Sequence, residues 1–331
     1  MVTLGTVLDL RRTRTEQRVQ ELKKELQNSN EIVRDVACVY MTGSFGRGEA
    51  SEHSDLDLFI ASKGDKEGSP LLSKLDEVLL KADLITATRK FEIQDFSGDG
   101  EYLQQYSVQK LLKTLGEPDD DAKNTFTARL LLLLESRCLL GEDMYDRVIK
   151  ESVMAYWRDY EKHRDNFVPA FLANDILRLW RTFCVNYEAR TATDPPEKNA
   201  KRKLKNYKLK HSRLLTCYSS LLYLLAEYSV KHTVAPENAI TMAQLTPTQR
   251  LEYLLQDGRW SSCHSKIREV LTSYENFLET TDAPEKELIA RYLARSESSD
   301  QFGTGAGLGN LVFDLLEELG QKNRFHRLLV V

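Results

Sequence analysis

Two aspartates are the residues of this sequence whose type and spacing are most suited to chemistry. Asp55 and Asp57 are separated by a single leucine within an apolar segment that ends at Ala61. Alternate residues of a β-strand project from the same face, so the two carboxylates would lie about 7 Å apart on one side of a strand. Carboxylates held this close repel each other unless a cation lies between them, and Mg²⁺ prefers oxygen ligands that it shares with phosphates. The pair therefore predicts a magnesium site that serves phosphoryl transfer.

A glycine–serine pair precedes the aspartates and directly follows a short apolar run. Gly43 has no side chain, so its backbone can approach a phosphate closely. Ser44 supplies a hydroxyl donor, and the amides that follow would open a short helix, whose start favours anions. No Gly-Lys-Ser/Thr follows, which excludes a Walker-type phosphate loop. Arg47, in the next loop, has two alternatives: it binds phosphate, or it forms an ion pair with Glu49 or Asp55.

A small sheet would position these residues. Val36–Tyr40 has the continuous apolar character of a buried strand, and Asp55–Ala61 alternates like a second strand. The amphipathic segment Thr13–Leu26 predicts a helix, and another helix should run from Pro70 to about Ala82. We expect a third strand between Lys90 and Tyr106.

Helical periodicity dominates the rest of the chain. The predicted helices are Ser107–Leu115, Thr125–Leu140, Val148–His163, Pro169–Arg190, Leu204–Lys231, Thr246–Leu255, Ser265–Thr280, Glu285–Arg295 and Leu308–Leu319. A length of 331 residues favours two domains. The expected fold class is therefore α+β, with a small mixed-sheet domain at residues 1–115 and a larger all-helical domain at residues 116–331.

The amino-acid composition argues against several classes of protein. Hydrophobic residues make up 41% of the chain, charged residues 29%, and the formal net charge is −4. This balance is typical of a globular protein and does not indicate bulk binding to nucleic acid or to an anionic membrane. The five cysteines form no CxxC pair, which argues against a zinc or redox motif. The longest apolar run, Leu130–Leu134, is far too short for a membrane span, so we expect a cytoplasmic protein.

The stretch Tyr40–Ile60 resembles the signature of the DNA polymerase β-like nucleotidyltransferase superfamily. An apolar strand, Gly-Ser, a ten-residue loop (Phe45–Ser54) and an Asp-x-Asp between apolar residues follow in that order. The version here, Gly-Ser-x-x-Arg-Gly-Glu and then Ser-Asp-x-Asp, is most similar to the bacterial standalone and uridylyltransferase-type members.

The resemblance implies both an activity and roles for the matching residues. Gly43 and Ser44 would contact the triphosphate of an NTP. Asp55 and Asp57 would be catalytic and would hold one or two Mg²⁺ ions. An NMP would move from the NTP to an acceptor hydroxyl on a protein, on tRNA or another RNA, or on a small molecule, and pyrophosphate would be released.

Members that transfer nucleotides usually have a third carboxylate on the next strand. Glu92, between Phe91 and Ile93, best fits the apolar-acid-apolar pattern of a strand. Asp99 is an equal candidate, although its Ser-Gly-Asp-Gly context is also typical of a plain turn. Asp95 and Glu101 are further candidates. If none of the four serves, the protein would bind a nucleotide without transferring it, as a sensor or regulatory module.

A basic run in the helical part leaves three alternatives. Residues 198–213 contain nine basic residues, counting one histidine, and no acidic residue. They could form a solvated helix start, or a groove for the phosphate backbone of RNA. The helical domain of related enzymes often supplies a lysine and a serine to the triphosphate, and Lys210 with Ser212 or Arg213 resembles such a pair.

Overall fold

The computed structural model describes residues 6–94, 96, 103–188, 196–294, 305–320 and 323–330. The chain divides into two compact units, one made of Met1–Arg158 with Ala239–Thr246 and the other of Asp159–Asn238 with Pro247–Val331. The first unit contains a small mixed sheet and the second unit is helical, which confirms the α+β class. The first unit extends beyond the boundary expected at residue 115.

Four strands form the sheet of the first unit. They are β1 (Ala37–Thr42), β2 (Asp57–Ser62), β3 (Gln105–Ser107) and β4 (Arg137–Leu140). Their order is β3-β2-β1-β4, with β1 antiparallel to β2 and β4, and β2 parallel to β3. Because the last residue of β1, Thr42, pairs with the first residue of β2, Asp57, the loop between them starts and ends at one edge of the sheet.

Helices cover both faces of this sheet. Those of the first unit are α1 (Val7–Glu25), α2 (Asn30–Val33), α3 (Gly43–Gly46), α4 (Lys74–Lys90), α5 (Val108–Lys113), α6 (Asp119–Ala122), α7 (Thr125–Glu135) and α8 (Glu142–Tyr156). Leu22 of α1 and Leu84 of α4 share a buried core with Met41 and Leu58 of the strands. On the opposite face Tyr40 donates a 3.2 Å hydrogen bond from its hydroxyl to the Ala128 carbonyl of α7.

One predicted helix of the first unit is wrong. The segment Thr125–Leu140 divides into α7 and β4, because Ser136 between them has an extended backbone. A run of leucines has no period that distinguishes a buried helix from a buried strand. Gly141 then lets the chain pass so close to the Ala37 carbonyl that a β-carbon there would collide with it.

The helices of the second unit surround one long helix. They are α9 (Ala170–Glu188), α10 (Pro196–Lys231), α12 (Pro247–Leu255), α13 (His264–Thr280), α14 (Glu285–Ala294), α15 (Gly305–Gly320) and α16 (Arg324–Val330), while α11 (Pro236–Gln244) spans the boundary between the two units. Every residue from Leu221 to Ala226 of α10 is buried. This helix starts at Pro196 rather than at the predicted Leu204, so the basic run is itself helical. Within the described ranges, no helix is long and apolar enough to cross a membrane.

Candidate active site

Asp57 lies against the backbone of the glycine–serine turn. Gly43 has a φ of +63°, and a β-carbon built on it would be 2.6 Å from Oδ2 of Asp57. Glycine adopts this left-handed conformation without the steric cost that an L side chain incurs. The carboxylate therefore occupies the space that a side chain at residue 43 would need, and the glycine is required for this reason as well as for its backbone conformation.

Asp55 and Asp57 are both exposed, and they alternate with Leu56 and Leu58, which are buried in the core. Asp55 precedes the first residue of β2, whereas the sequence predicted it to open the strand. Two accessible carboxylates supply the oxygen donors that suit Mg²⁺. Among the residues that the structure describes, no group of three or more His, Cys, Asp or Glu could hold a metal ion.

The prediction that Glu92 lies on the next strand is wrong. Glu92 follows the end of α4 in an exposed turn, with a left-handed backbone φ of 53°. Within the described part of the chain the next strand is β3, and it carries no carboxylate. Asp95, Asp99 and Glu101 lie outside the described residues and stay predictions. Because β3 is parallel to β2, the chain enters β3 at the edge of the sheet where Asp57 opens β2.

Arg47 forms an ion pair with buried carboxylates. Its Nη1 donates to Oε2 of Glu135 over 3.0 Å, and its Nε donates to Oε1 of Glu49. The side chain of Arg47 is 9% exposed, and those of Glu49 and Glu135 are 3% and 0% exposed. The structure therefore favours the ion-pair alternative, with Glu49 rather than Asp55 as partner. It gives no support to the predicted role of Arg47 in nucleotide binding.

Glu135 also anchors the turn itself. The Gly43 amide donates a 3.2 Å hydrogen bond to Oε1 of Glu135. One carboxylate thus holds both the turn and Arg47, and the amide of Gly43 already has an acceptor within the protein. Local sequence patterns did not identify Glu135. The feature that could have identified it is its position directly after the apolar run Leu130–Leu134. An acid in such a buried segment needs a partner, because a buried charge is costly unless it is paired.

Helix α1 anchors the loop that leads to the aspartates. Arg11 donates to the Glu49 carbonyl over 3.0 Å, and Arg18 donates to the Ser51 carbonyl over 2.8 Å. Burial lowers the pKa of Arg18, and the nearby positive charge of Arg14 lowers it further. These contacts fix the end of the loop's buried part that is nearer to the aspartates, so the position of the aspartates does not depend on the strand alone.

The predicted triphosphate ligands of the helical domain lie on α10. Lys210 is exposed, whereas Ser212 is buried and donates from Oγ to the Lys208 carbonyl over 2.9 Å. Residues two apart on a helix do not face each other. The pairing of Lys210 with Ser212 is therefore wrong. The Arg213 guanidinium lies 5.0 Å from the centre of the Phe183 ring, on the same side of α10 as Lys210.

Part of the first unit is similar to a known protein family. Residues 19–114 match the family model of the nucleotidyltransferase domain. No curated protein and no solved structure matches the chain. The matched segment contains β1, β2 and β3, the Gly43–Ser44 turn and both aspartates, but not Glu135. Residues 19–114 therefore belong to the nucleotidyltransferase domain family, consistent with the polymerase β-like nucleotidyltransferase superfamily.

Proposed function

We propose that the protein is a magnesium-dependent nucleotidyltransferase, which moves an NMP from an NTP to an acceptor hydroxyl and releases pyrophosphate. The family supports nucleotidyl transfer in general. The observation that carries the finer proposal is the position of Asp57, whose Oδ2 lies against the backbone of Gly43. The proposal that Asp57 binds metal beside the triphosphate is supported by this contact with the Gly43–Ser44 turn.

Asp55 and Asp57 would hold the metal, and Ser44 would donate its hydroxyl to the triphosphate. Bound Mg²⁺ would offset the negative charge that develops as the leaving group departs. Glu135 accepts hydrogen bonds from Gly43 and Arg47 and so keeps the turn in place. Fixed positions matter because most of the catalysis in such reactions is orientation and electrostatic stabilisation.

The transfer would be a single displacement at the α-phosphorus of the NTP. An oxygen of the acceptor hydroxyl forms a bond to the α-phosphorus, and the bond from that phosphorus to the β-bridging oxygen breaks. The proton of the hydroxyl passes to a base, for which Asp99 is the candidate. Pyrophosphate leaves with the bonding electrons. The acceptor would be a protein, an RNA or a small molecule.

A second candidate is a nucleotide-binding sensor that transfers nothing or transfers weakly. The observation that favours it is the missing third ligand, since the described residues bring together two carboxylates and no group of three. Such a module would gain stability from NTP and Mg²⁺ without releasing pyrophosphate.

The test is labelling by each of the four α-³²P-labelled NTPs with Mg²⁺ in cell extract. We compare the full chain with Asp57→Asn and with the control Asp35→Asn, which changes an exposed aspartate paired with Lys63. Wild type and Asp35→Asn should label an acceptor and release pyrophosphate, and Asp57→Asn should do neither. Nucleotide-induced stabilisation without pyrophosphate release would support the sensor. The absence of both would overturn the two candidates together.

A further inference from the structure

The second unit contains a cavity whose lining includes neither the Gly43–Ser44 turn nor the two aspartates. Its volume is about 940 Å³, and its walls come from α10, α13 and α15. Cavities that enclose small ligands commonly have volumes of about 300–1,000 Å³. This one therefore has room for a nucleotide-sized group.

Stacked rings form one wall of the cavity. The His211 imidazole lies parallel to the Phe277 ring, with centres 4.6 Å apart, and 4.3 Å from the centre of the Tyr207 ring. Nδ1 of His211 is 2.9 Å from the Tyr207 carbonyl, which holds the ring in its orientation. All three residues are buried and pack against one another, so this wall of the cavity is preformed and rigid.

The rest of the lining is polar and suits a heterocycle that carries phosphate. Asn276 and Asn310 are exposed at the cavity, and each amide has both a donor and an acceptor, as the edge of a nucleobase has. Arg268, also exposed, can bind a phosphate. Glu269 is the one carboxylate among the described lining residues, and its Oε1 accepts a 3.2 Å hydrogen bond from Ser265.

Positive charge flanks this aromatic wall on α10. Lys203 and Lys210 are exposed and lie one helical turn before and after Tyr207, on the same side of the helix. Residues 198–213 contain eight lysines and arginines and no acidic residue, in a chain whose net charge is −4. Positive charge concentrated in one segment of a helix in an acidic protein favours a polyanionic partner.

We propose that this surface binds single-stranded nucleic acid, with an unstacked base in the cavity and phosphates beside Lys203 and Lys210. A duplex would keep its bases stacked and leave the cavity empty, whereas a single strand can turn a base out onto an aromatic wall. The proposal goes beyond nucleotidyl transfer, because it concerns residues of the second unit and requires no catalysis.

Fluorescence anisotropy with 5′-labelled twelve-nucleotide probes tests the proposal on the full chain. The probes are single-stranded RNA, single-stranded DNA, a DNA duplex and an abasic strand with the same number of phosphates. The test variant Lys203→Ser/Lys210→Ser is matched by Lys201→Ser/Lys205→Ser. The control removes the same number of lysines from another flank of α10, away from Tyr207. Both control lysines are exposed, and Lys201 is paired with Glu285.

The single-stranded probes should bind the wild type, and the test variant should weaken that binding about tenfold at 0.1 M salt. In the test variant, the slope of the logarithm of the binding constant against the logarithm of the salt concentration should become shallower by about 1.4. Each phosphate contact on a single strand contributes about 0.7 to this slope, and two such contacts are removed. The control should keep the wild-type slope. The abasic strand should bind roughly tenfold more weakly than the normal strand, because stacking of a base contributes affinity of that order. The RNA and DNA probes decide which single strand is preferred.

If the test and control double variants lose affinity equally, the phosphates do not bind specifically beside Lys203 and Lys210, and that part of the proposal is overturned. Equal binding of abasic and normal strands, or of duplex and single strand, would overturn the role of the cavity. Asp57→Asn should bind the probes like the wild type. A failure of nucleotidyl transfer thus leaves the binding result unchanged, and the two proposals fail separately.

Discussion

Gly43 and Glu135 are joined by a 3.2 Å hydrogen bond from the Gly43 amide to the Glu135 carboxylate, although 92 residues separate them in the chain. The other oxygen of that carboxylate accepts from Arg47. Glu135 lies outside residues 19–114, which match the nucleotidyltransferase family. The geometry of the turn therefore depends on α7 as well as on the segment that carries the family motif.

Replacing Glu135 tests this dependence. Glu135→Gln leaves a buried Arg47 with Glu49 as its remaining acidic partner, and loss of one member of a buried ion pair commonly costs about 3–5 kcal/mol. We expect the free energy of unfolding, measured in urea, to fall by about 3 kcal/mol. The control Glu287→Gln breaks an exposed pair with Arg291, where about 0.5 kcal/mol or less is expected. Equal effects of the two substitutions would show that burial of the pair does not matter.

Replacing Gly43 tests the contact with Asp57. The alanine β-carbon in Gly43→Ala would be 2.6 Å from the carboxylate, at a φ of +63° that costs about 1–2 kcal/mol for an L residue. Because Asp57 must move by a large fraction of an ångström, pyrophosphate release should fall about 100-fold. Calorimetric titration with Mg·NTP should show weaker binding as well. Gly258→Ala is the control, since no atom lies within 4 Å of the added carbon, and it should leave both quantities unchanged.

Local patterns predicted the parts of the site that depend on neighbouring residues. The alternation of Asp55 and Asp57 with buried leucines was visible because a strand has a period of two residues, and the glycine–serine turn follows from residue type. The second partner of Arg47, Glu135, was not predictable in this way. Glu135 is 88 residues away, and only the pairing of β1 with β4 brings that part of the chain beside the turn.

Other errors have equally specific causes. The helix predicted over Thr125–Leu140 includes β4, because the leucines before this strand hide the change from helical to strand periodicity. The apolar-acid-apolar pattern at Glu92 suggested a strand, but α4 continues to Lys90 and leaves Glu92 in a turn. At Ser212 a hydroxyl that suits a phosphate instead bonds to the helix backbone, a competition that residue type alone does not reveal.

The third carboxylate can be assigned by comparing two conservative substitutions. Glu92→Gln should leave pyrophosphate release within about twofold of the wild type, because that residue lies in an exposed turn beyond α4 and outside the sheet. Asp99→Asn should reduce it by about 100-fold or more, since a general base commonly contributes 10²–10⁴-fold. Initial rates at saturating Mg²⁺ and NTP give the comparison. Full activity in Asp99→Asn would exclude Asp99 as the base.

His211 should make the stability of the second unit depend on pH. Burial lowers the pKa of His211, and the hydrogen bond with the Tyr207 carbonyl opposes this shift only in part. The unfolded state, in which the pKa of histidine is about 6.5, therefore binds the proton more readily than the folded state does. Stability is unaffected by His211 above that value, where the ring is neutral in both states. It falls as the pH drops through 6.5 towards the lower folded pKa.

The substitution His211→Phe isolates this contribution, because phenylalanine keeps a ring beside Phe277 and cannot be protonated. The midpoint of thermal unfolding should fall less between pH 7.5 and pH 5.5 in this variant than in the wild type. The same substitution at His53, which is exposed, controls for the loss of a histidine and should keep the wild-type difference. An NMR titration of the imidazole provides the direct check. A folded pKa at or above 6.5 would contradict the prediction, because protonation of His211 would then not favour unfolding.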